Sequence, residues 1–179
     1  DANGYLIDQF LRSDSNHRAD EYGGSSDNRA GFLFVVVDAI TKSVAPGKVG
    51  IRLSPVTPAN DASDSDPQPL FDYVLERLDS YGLAYVHIIE GATGGPRDFQ
   101  QGPQPFEYGR LKQVYRDAGG EAAWMVNNGY DRELAEQENE SGRADVVAVG
   151  KPFISNHDIV RRLKDNSPLN ELDQQNMYG

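Results

Sequence analysis

Asp1-Ala2-Asn3-Gly4-Tyr5-Leu6, with Gln9-Phe10-Leu11, Asn16-His17-Arg18-Ala19-Asp20, Tyr22-Gly23-Gly24-Ser25 and Asn28-Arg29-Ala30-Gly31-Phe32 after it, is the stretch that decides the reading of this chain. Polar, aromatic and glycine residues recur in it at spacings that a solvated loop has no reason to carry. Asn3 and Tyr5 stand two residues apart, and on an extended strand end such a pair points to one side. That geometry suits gripping a small molecule. A Gly-Gly turn and an amphipathic helix follow, the order in which a barrel strand hands over to its helix.

Working outward, the spacing predicts a helix over 27–44, capped by Asp27 or Asn28 and burying Phe32, Leu33, Val36, Ala39 and Ile40. A strand over 48–55 alternates Val49, Ile51 and Leu53 with Gly50, Arg52 and Ser54. The Pro-, Asp- and Ser-rich run 56–69 reads as a weakly ordered loop. The same plan repeats: helix 70–78, strand 84–90 and a Gly/Pro/Gln loop 91–105; then helix 109–116, strand 122–126 and the turn Asn127-Asn128-Gly129-Tyr130. Last come a helix over 131–139 capped by Asp131, a buried strand 144–149, the exit Gly150-Lys151-Pro152-Phe153, and a helix from Asn156 or His157 to Leu163. Strand, loop and helix in this rhythm mean parallel strands with crossover helices, whose working face is the C-terminal end of the sheet.

Bulk properties narrow the function. The 179 residues are expected to form one domain, 1–179. They fall short of the roughly 250 that a complete eightfold barrel takes. A formal charge of -11 argues against nucleic acid or an anionic membrane as a partner. Without cysteine there is no disulfide, thiol nucleophile or thiolate metal site. No apolar run is long enough to span a bilayer and no signal-like pattern opens the chain, so the default compartment is cytoplasmic. His17, His87 and His157 lack metal-like spacing and read as structural.

The opening residues resemble the old yellow enzyme family of FMN-dependent reductases. The likeness rests on Ala2-Asn3-Gly4-Tyr5-Leu6, Gln9-Phe10-Leu11, Asn16, Arg18, Asp20, Tyr22-Gly23-Gly24-Ser25 and Asn28-Arg29, and continues to the end of the chain. It implies the later half of a TIM (β/α)8 barrel, entered at the end of strand four. The implied activity is reduction of activated C=C bonds in α,β-unsaturated carbonyl compounds, with FMN as cofactor and NADPH or NADH as reductant.

By the same resemblance Tyr5 is the proton donor, a phenol that stays protonated at neutral pH. Asn3 polarises the substrate carbonyl together with a histidine that would precede Asp1, and Tyr178 stands beside the substrate. Arg52 would face the electron-rich edge of the flavin; its other reading is a structural ion pair, with Glu90 or a neighbouring acid. Asn128, Gly129, Gly150 and Lys151 resemble the FMN phosphate site, with Asn128 where relatives carry glycine and Lys151 where they carry arginine. Gly31 replaces an arginine of the family pattern and puts a poor helix former inside a helix. Half a barrel leaves bare sheet edges, so a second half is expected as partner: a further segment, a second chain or a second copy. On that reading Ile51, Leu53, Val86, Ile88, Val147 and Val149 would be exposed. The alternative reading is a non-catalytic half barrel that binds a phosphate ligand or a partner.

Overall fold

The computed structural model describes residues 2–175 and Met177; Tyr178, expected beside the substrate, lies outside the described residues. After a short helix α1 (Leu6–Leu11) and the long α2 (Ser26–Ser43), strands alternate with helices: β1 (Gly50–Leu53), α3 (Pro67–Leu78), β2 (Tyr85–Ile89), α4 (Tyr108–Asp117), β3 (Ala123–Asn127), α5 (Arg132–Glu140) and β4 (Val146–Ala148). Two short helices, α6 (Lys151–Ser155) and α7 (Ile159–Asp165), complete the order. The four strands pair in parallel in chain order, β1-β2-β3-β4. This is the arc of a (β/α) barrel, as expected.

The apolar face of the sheet lies under the helices. Ile51, Leu53, Val86, Ile88, Trp124 and Val126 join Leu33, Phe34, Val37, Leu70, Val74, Leu75, Leu111 and Tyr115 in one buried cluster. Of the strand side chains expected to be exposed, Ile51, Leu53, Val86 and Ile88 are therefore covered, at 8%, 1%, 0% and 1% exposed, whereas Val147 and Val149 are half-buried. What the arc leaves open is its other face, carrying the alternate residues Arg52, His87 and Met125 in register. At the foot of that face Tyr85 packs its ring over Gly50, where a Cβ would sit 2.2 Å from the ring. β4, read as a buried strand, is an edge strand only three residues long, with Val146 40% exposed.

Other boundaries shift for physical reasons. α2 starts one residue before the expected Asp27, at Ser26, and buries Arg29, Ala30, Leu33, Phe34 and Val37, so its core face is rotated from the one the sequence suggested. Ile40 is 41% exposed. α3 starts at Pro67, because a proline at the first helical positions gives up no intrahelical bond. Asp131 caps α5 as expected, its Oδ1 accepting from the Leu134 N–H at 2.9 Å. α6 occupies what the sequence suggested was only a strand exit.

The run 56–66, expected to be weakly ordered, is pinned. Thr57 and Asp64 are buried, and the fully buried Arg12 donates to the Thr57 carbonyl at 2.9 and 3.0 Å. Asp64 accepts from Arg29 Nη1 at 2.5 Å and from the Ser13 N–H at 2.8 Å. Composition describes this loop poorly, because its order comes from partners elsewhere in the chain.

Candidate functional site

The open end of the arc is built around the turn at residues 2–5. Asn3 (φ 56) and Gly4 (φ 73) are left-handed, and Tyr5 is the N-cap of α1, so this segment is a turn into a helix and not the expected strand end. Strand alternation therefore does not set the directions of Asn3 and Tyr5. The turn is fixed onto the C-terminal end of β1. The Asn3 N–H donates to Ser54 Oγ at 2.7 Å, the Gly4 N–H to Asp8 Oδ2 at 2.8 Å, and Ser54 Oγ to the same Asp8 oxygen at 3.1 Å. A Cβ on Gly4 would lie 1.9 Å from the Ala59 carbonyl oxygen, so only glycine fits.

Asp8 and Arg12 hold this turn from beneath. They are 1% and 0% exposed, one helical turn apart, with Arg12 Nε 3.9 Å from Asp8 Oδ1. Burial pushes the Asp8 carboxyl up, against an opposing pull from Arg12, and it lowers Arg12 in turn. Both were missed in the sequence, although an acid and a base at i and i+4 give a legible signal.

Tyr5 is 63% exposed at the mouth of the site. The Asn3 amide turns its oxygen to Thr93, whose Oγ1 donates to it at 3.0 Å, and the two amide N–H groups remain available.

On the open face of the sheet, Arg52 is half-buried and has no carboxylate partner among the described residues. Its Nε makes no hydrogen bond, and burial alone lowers its pKa. Glu90, the acid named in the alternative ion-pair reading of Arg52, is engaged elsewhere: it accepts from Tyr130 Oη at 2.8 Å and lies 3.5 Å from Arg97 Nη1. His87, directly across the β1–β2 pairing from Arg52, is 9% exposed, and its Nε2 has no partner. Burial, helped by Arg52, pushes this imidazole down to about 4, so it is neutral at pH 7. The Asn127 side chain opposes that shift, although its own Oδ1 makes no hydrogen bond. Unpaired buried polar atoms are rare and costly. Three of them, Arg52 Nε, His87 Nε2 and Asn127 Oδ1, lie on the face that the arc leaves open. The sequence reads His87 as structural and Asn127 only as part of a turn, because the meaning of a strand histidine depends on the neighbouring strand's register.

The two bends expected to hold a phosphate differ. Asn128 (φ 97) and Gly129 (φ 69) form a left-handed pair. The Asn128 side chain donates to the carbonyls of Glu90 at 2.6 Å and Ala92 at 2.9 Å, clamping the 91–105 loop instead of pointing outward. A Cβ on Gly129 would meet only the Arg97 side chain, at 3.7 Å. Gly150 precedes α6 with an ordinary φ of -102, and a Cβ there would touch nothing. Lys151 Nζ reaches the 91–105 loop, 3.7 Å from where a Cβ on Gly94 would stand.

Away from this face, a cleft of about 490 Å³ opens between α4 and α5 over Ile88, Trp124 and Val126, on the helix side of the sheet. Among the described residues no group of three or more His, Cys, Asp or Glu could hold a metal. No helix is long and apolar enough to cross a membrane among those residues.

A half-buried guanidinium without a carboxylate partner among the described residues thus stands beside unsatisfied polar atoms on the open face of a (β/α) arc. The chain belongs to the NADH:flavin oxidoreductase / NADH oxidase family, which it matches over residues 1–170. It is 39% identical over 181 residues to putative 12-oxophytodienoate reductase 5 of Oryza sativa subsp. japonica, covering 99% of this chain and 46% of that protein. A probable flavin mononucleotide-dependent alkene reductase of Leishmania infantum is 38% identical, with 99% and 45% covered. The old yellow enzyme homologue from Zymomonas mobilis superposes with a TM-score of 0.88 at 32% identity, covering 99% of this chain and 48% of that one. The chain thus spans about half the length of the relatives it matches, and its fold is half of their barrel.

Proposed function

We propose that this chain forms the catalytic half of an FMN-dependent ene-reductase, acting on activated C=C bonds such as those of α,β-unsaturated carbonyl compounds with NADPH or NADH as reductant. The observation that carries the reading is Arg52: a cation held half-buried without a counter-charge, beside a neutral His87. Such a group is stable where an electron-rich ring edge comes to meet it. The orphaned Arg52 Nε, His87 Nε2 and Asn127 Oδ1 fit a heteroaromatic ring that has both donors and acceptors. The left-handed Asn128–Gly129 bend and the start of α6 at Gly150 and Lys151 would supply backbone N–H groups and a cation to its phosphate. Asn128 spends its side chain on the neighbouring loop, so only its backbone is available for that role. When bound, FMN supplies hydride received from the nicotinamide.

The chain's own residues do the rest. Asn3 donates an amide N–H to the substrate's carbonyl oxygen, where negative charge builds as hydride adds to the β carbon. Tyr5 delivers the proton to the α carbon and, being exposed at the mouth, is reprotonated from solvent. A partner is implied by the open face: the complementary half of a barrel, as a further segment, a second chain or a second copy, would cover Arg52 and His87 and pair with the outer sides of β1 and β4.

Two measurements test this. Full-length protein should carry visible flavin absorbance that bleaches anaerobically with NADPH and returns on adding an enone; a colourless protein that takes up no FMN would favour a non-catalytic module. Tyr5→Phe should slow reoxidation by the enone by about 10²-fold or more while leaving flavin reduction unchanged. Equal loss in both half-reactions would make Tyr5 structural.

A further inference from the structure

We propose that Thr93 is a positioning residue: its hydroxyl locks the Asn3 side-chain amide in the one orientation that presents N–H donors, and not the amide oxygen, to a substrate carbonyl. The inference rests on the enone-reductase reading and extends it to a residue 90 positions away in the chain.

Proton bookkeeping supports it. Each threonine hydroxyl has one proton to donate. Thr57 is 2% exposed and gives its proton to the Gly91 carbonyl at 2.8 Å. Across the 3.3 Å contact with Thr93, Thr57 Oγ1 can then only accept, so it is the more distant of two acceptors for the single Thr93 proton. Thr93 Oγ1 in turn donates to Asn3 Oδ1 at 3.0 Å. An amide with its oxygen engaged can offer a carbonyl ligand only its N–H groups; turned over, it would face that ligand with an acceptor and repel it.

Both ends of the hydrogen bond are held. The Asn3 backbone is bonded to Ser54 Oγ through its N–H at 2.7 Å, and to Asn60 Nδ2 through its carbonyl at 3.3 Å. On the other side the tip of the 91–105 loop is tied by Ala92 N–H to the Pro96 carbonyl at 3.0 Å and by Asn128 Nδ2 to the Ala92 carbonyl at 2.9 Å. The side-chain torsion of Asn3 is the remaining freedom, and Thr93 removes it.

The test uses full-length, FMN-loaded protein and the variants Thr93→Val and Thr93→Ser. Thr93 is solvent-exposed, so the valine variant is expected to fold. The Asn3 side-chain amide pair is assigned in ¹⁵N NMR spectra by its loss in Asn3→Asp. Thr93→Val should shift that pair and raise the Kd for cyclohexenone, measured on the oxidised protein without turnover, by about 3- to 10-fold, the usual weight of one hydrogen bond. Flavin reduction by NADPH should be unchanged, and Thr93→Ser should restore both signals. An unmoved Asn3 pair, or wild-type cyclohexenone affinity in Thr93→Val, overturns the positioning role alone. Failure of the wild-type protein to bind any enone overturns the functional reading and the carbonyl role with it.

Discussion

Arg29 Nη1 lies 2.5 Å from Asp64 Oδ2, and the two side chains are 8% and 1% exposed. The guanidinium also donates to the Leu11 carbonyl at 2.8 Å, so one residue of α2 fastens both α1 and the loop after β1. Removing one member of a buried pair leaves the other charge uncompensated. Arg29→Ala should cost about 3–5 kcal/mol, read as a lower urea midpoint at an unchanged slope. A loss under about 1 kcal/mol would mean water replaces the pair.

Gly4 is where the site and the fold depend on the same atom. With φ 73 and the Ala59 oxygen 1.9 Å from a notional Cβ, Gly4→Ala must move either the Asn3 turn or the 56–66 loop. Backbone strain alone accounts for about 1–3 kcal/mol, so the expected outcome is a destabilised protein with enone binding weakened beyond the stability loss. Thermal denaturation and ligand titration on one preparation check both.

Gly31 offers the opposite case. It lies inside α2 with no positive φ, and a Cβ there would meet Tyr22 at an ordinary 3.5 Å. Gly31→Ala should therefore stabilise the chain by about 0.5–1 kcal/mol through helix propensity and a less flexible unfolded state. No change in midpoint would show that the helix shifts to avoid Tyr22.

His87 sets a pH dependence whose sign follows from its pKa, lowered to about 4 from 6.5. The unfolded chain takes up a proton at a higher pH than the folded one does. This residue's contribution is thus complete above about 6.5 and lost as pH falls toward about 4. Asp8 and Glu90, both raised by burial, act in the opposite sense over part of that range. The measurement is therefore a difference: His87→Gln should flatten the acid side of the stability curve relative to wild type, by on the order of 1–3 kcal/mol across the window. Parallel curves would rule out burial of a neutral imidazole.

Much of the architecture was legible because periodicity and punctuation are local. The parallel order of four strands, the crossover helices and the Asp131 cap all follow from residues close together in sequence. The Asn16, Asn28 and Arg29 pattern was visible too, but its meaning was not. Asn16 Nδ2 bonds the carbonyls of Phe10 and Tyr22 at 2.5 and 2.7 Å, and Asn28 Nδ2 that of Gly23 at 3.0 Å, so the densest motif of the chain splints the segment between α1 and α2. Features made by distant pairs stayed hidden: Arg12 under Thr57, Thr93 on Asn3, His87 beside Arg52. Nothing within a few residues of any of them announces its partner.

The strand order also has a consequence for assembly. An arc ending in β1 on one side and β4 on the other can become a ring only by gaining backbone partners at both rims. Once a complement docks at the first rim, the second is an intramolecular neighbour at high effective concentration. Closure should accordingly be all-or-none, with the arc and the finished ring as the populated forms and little in between.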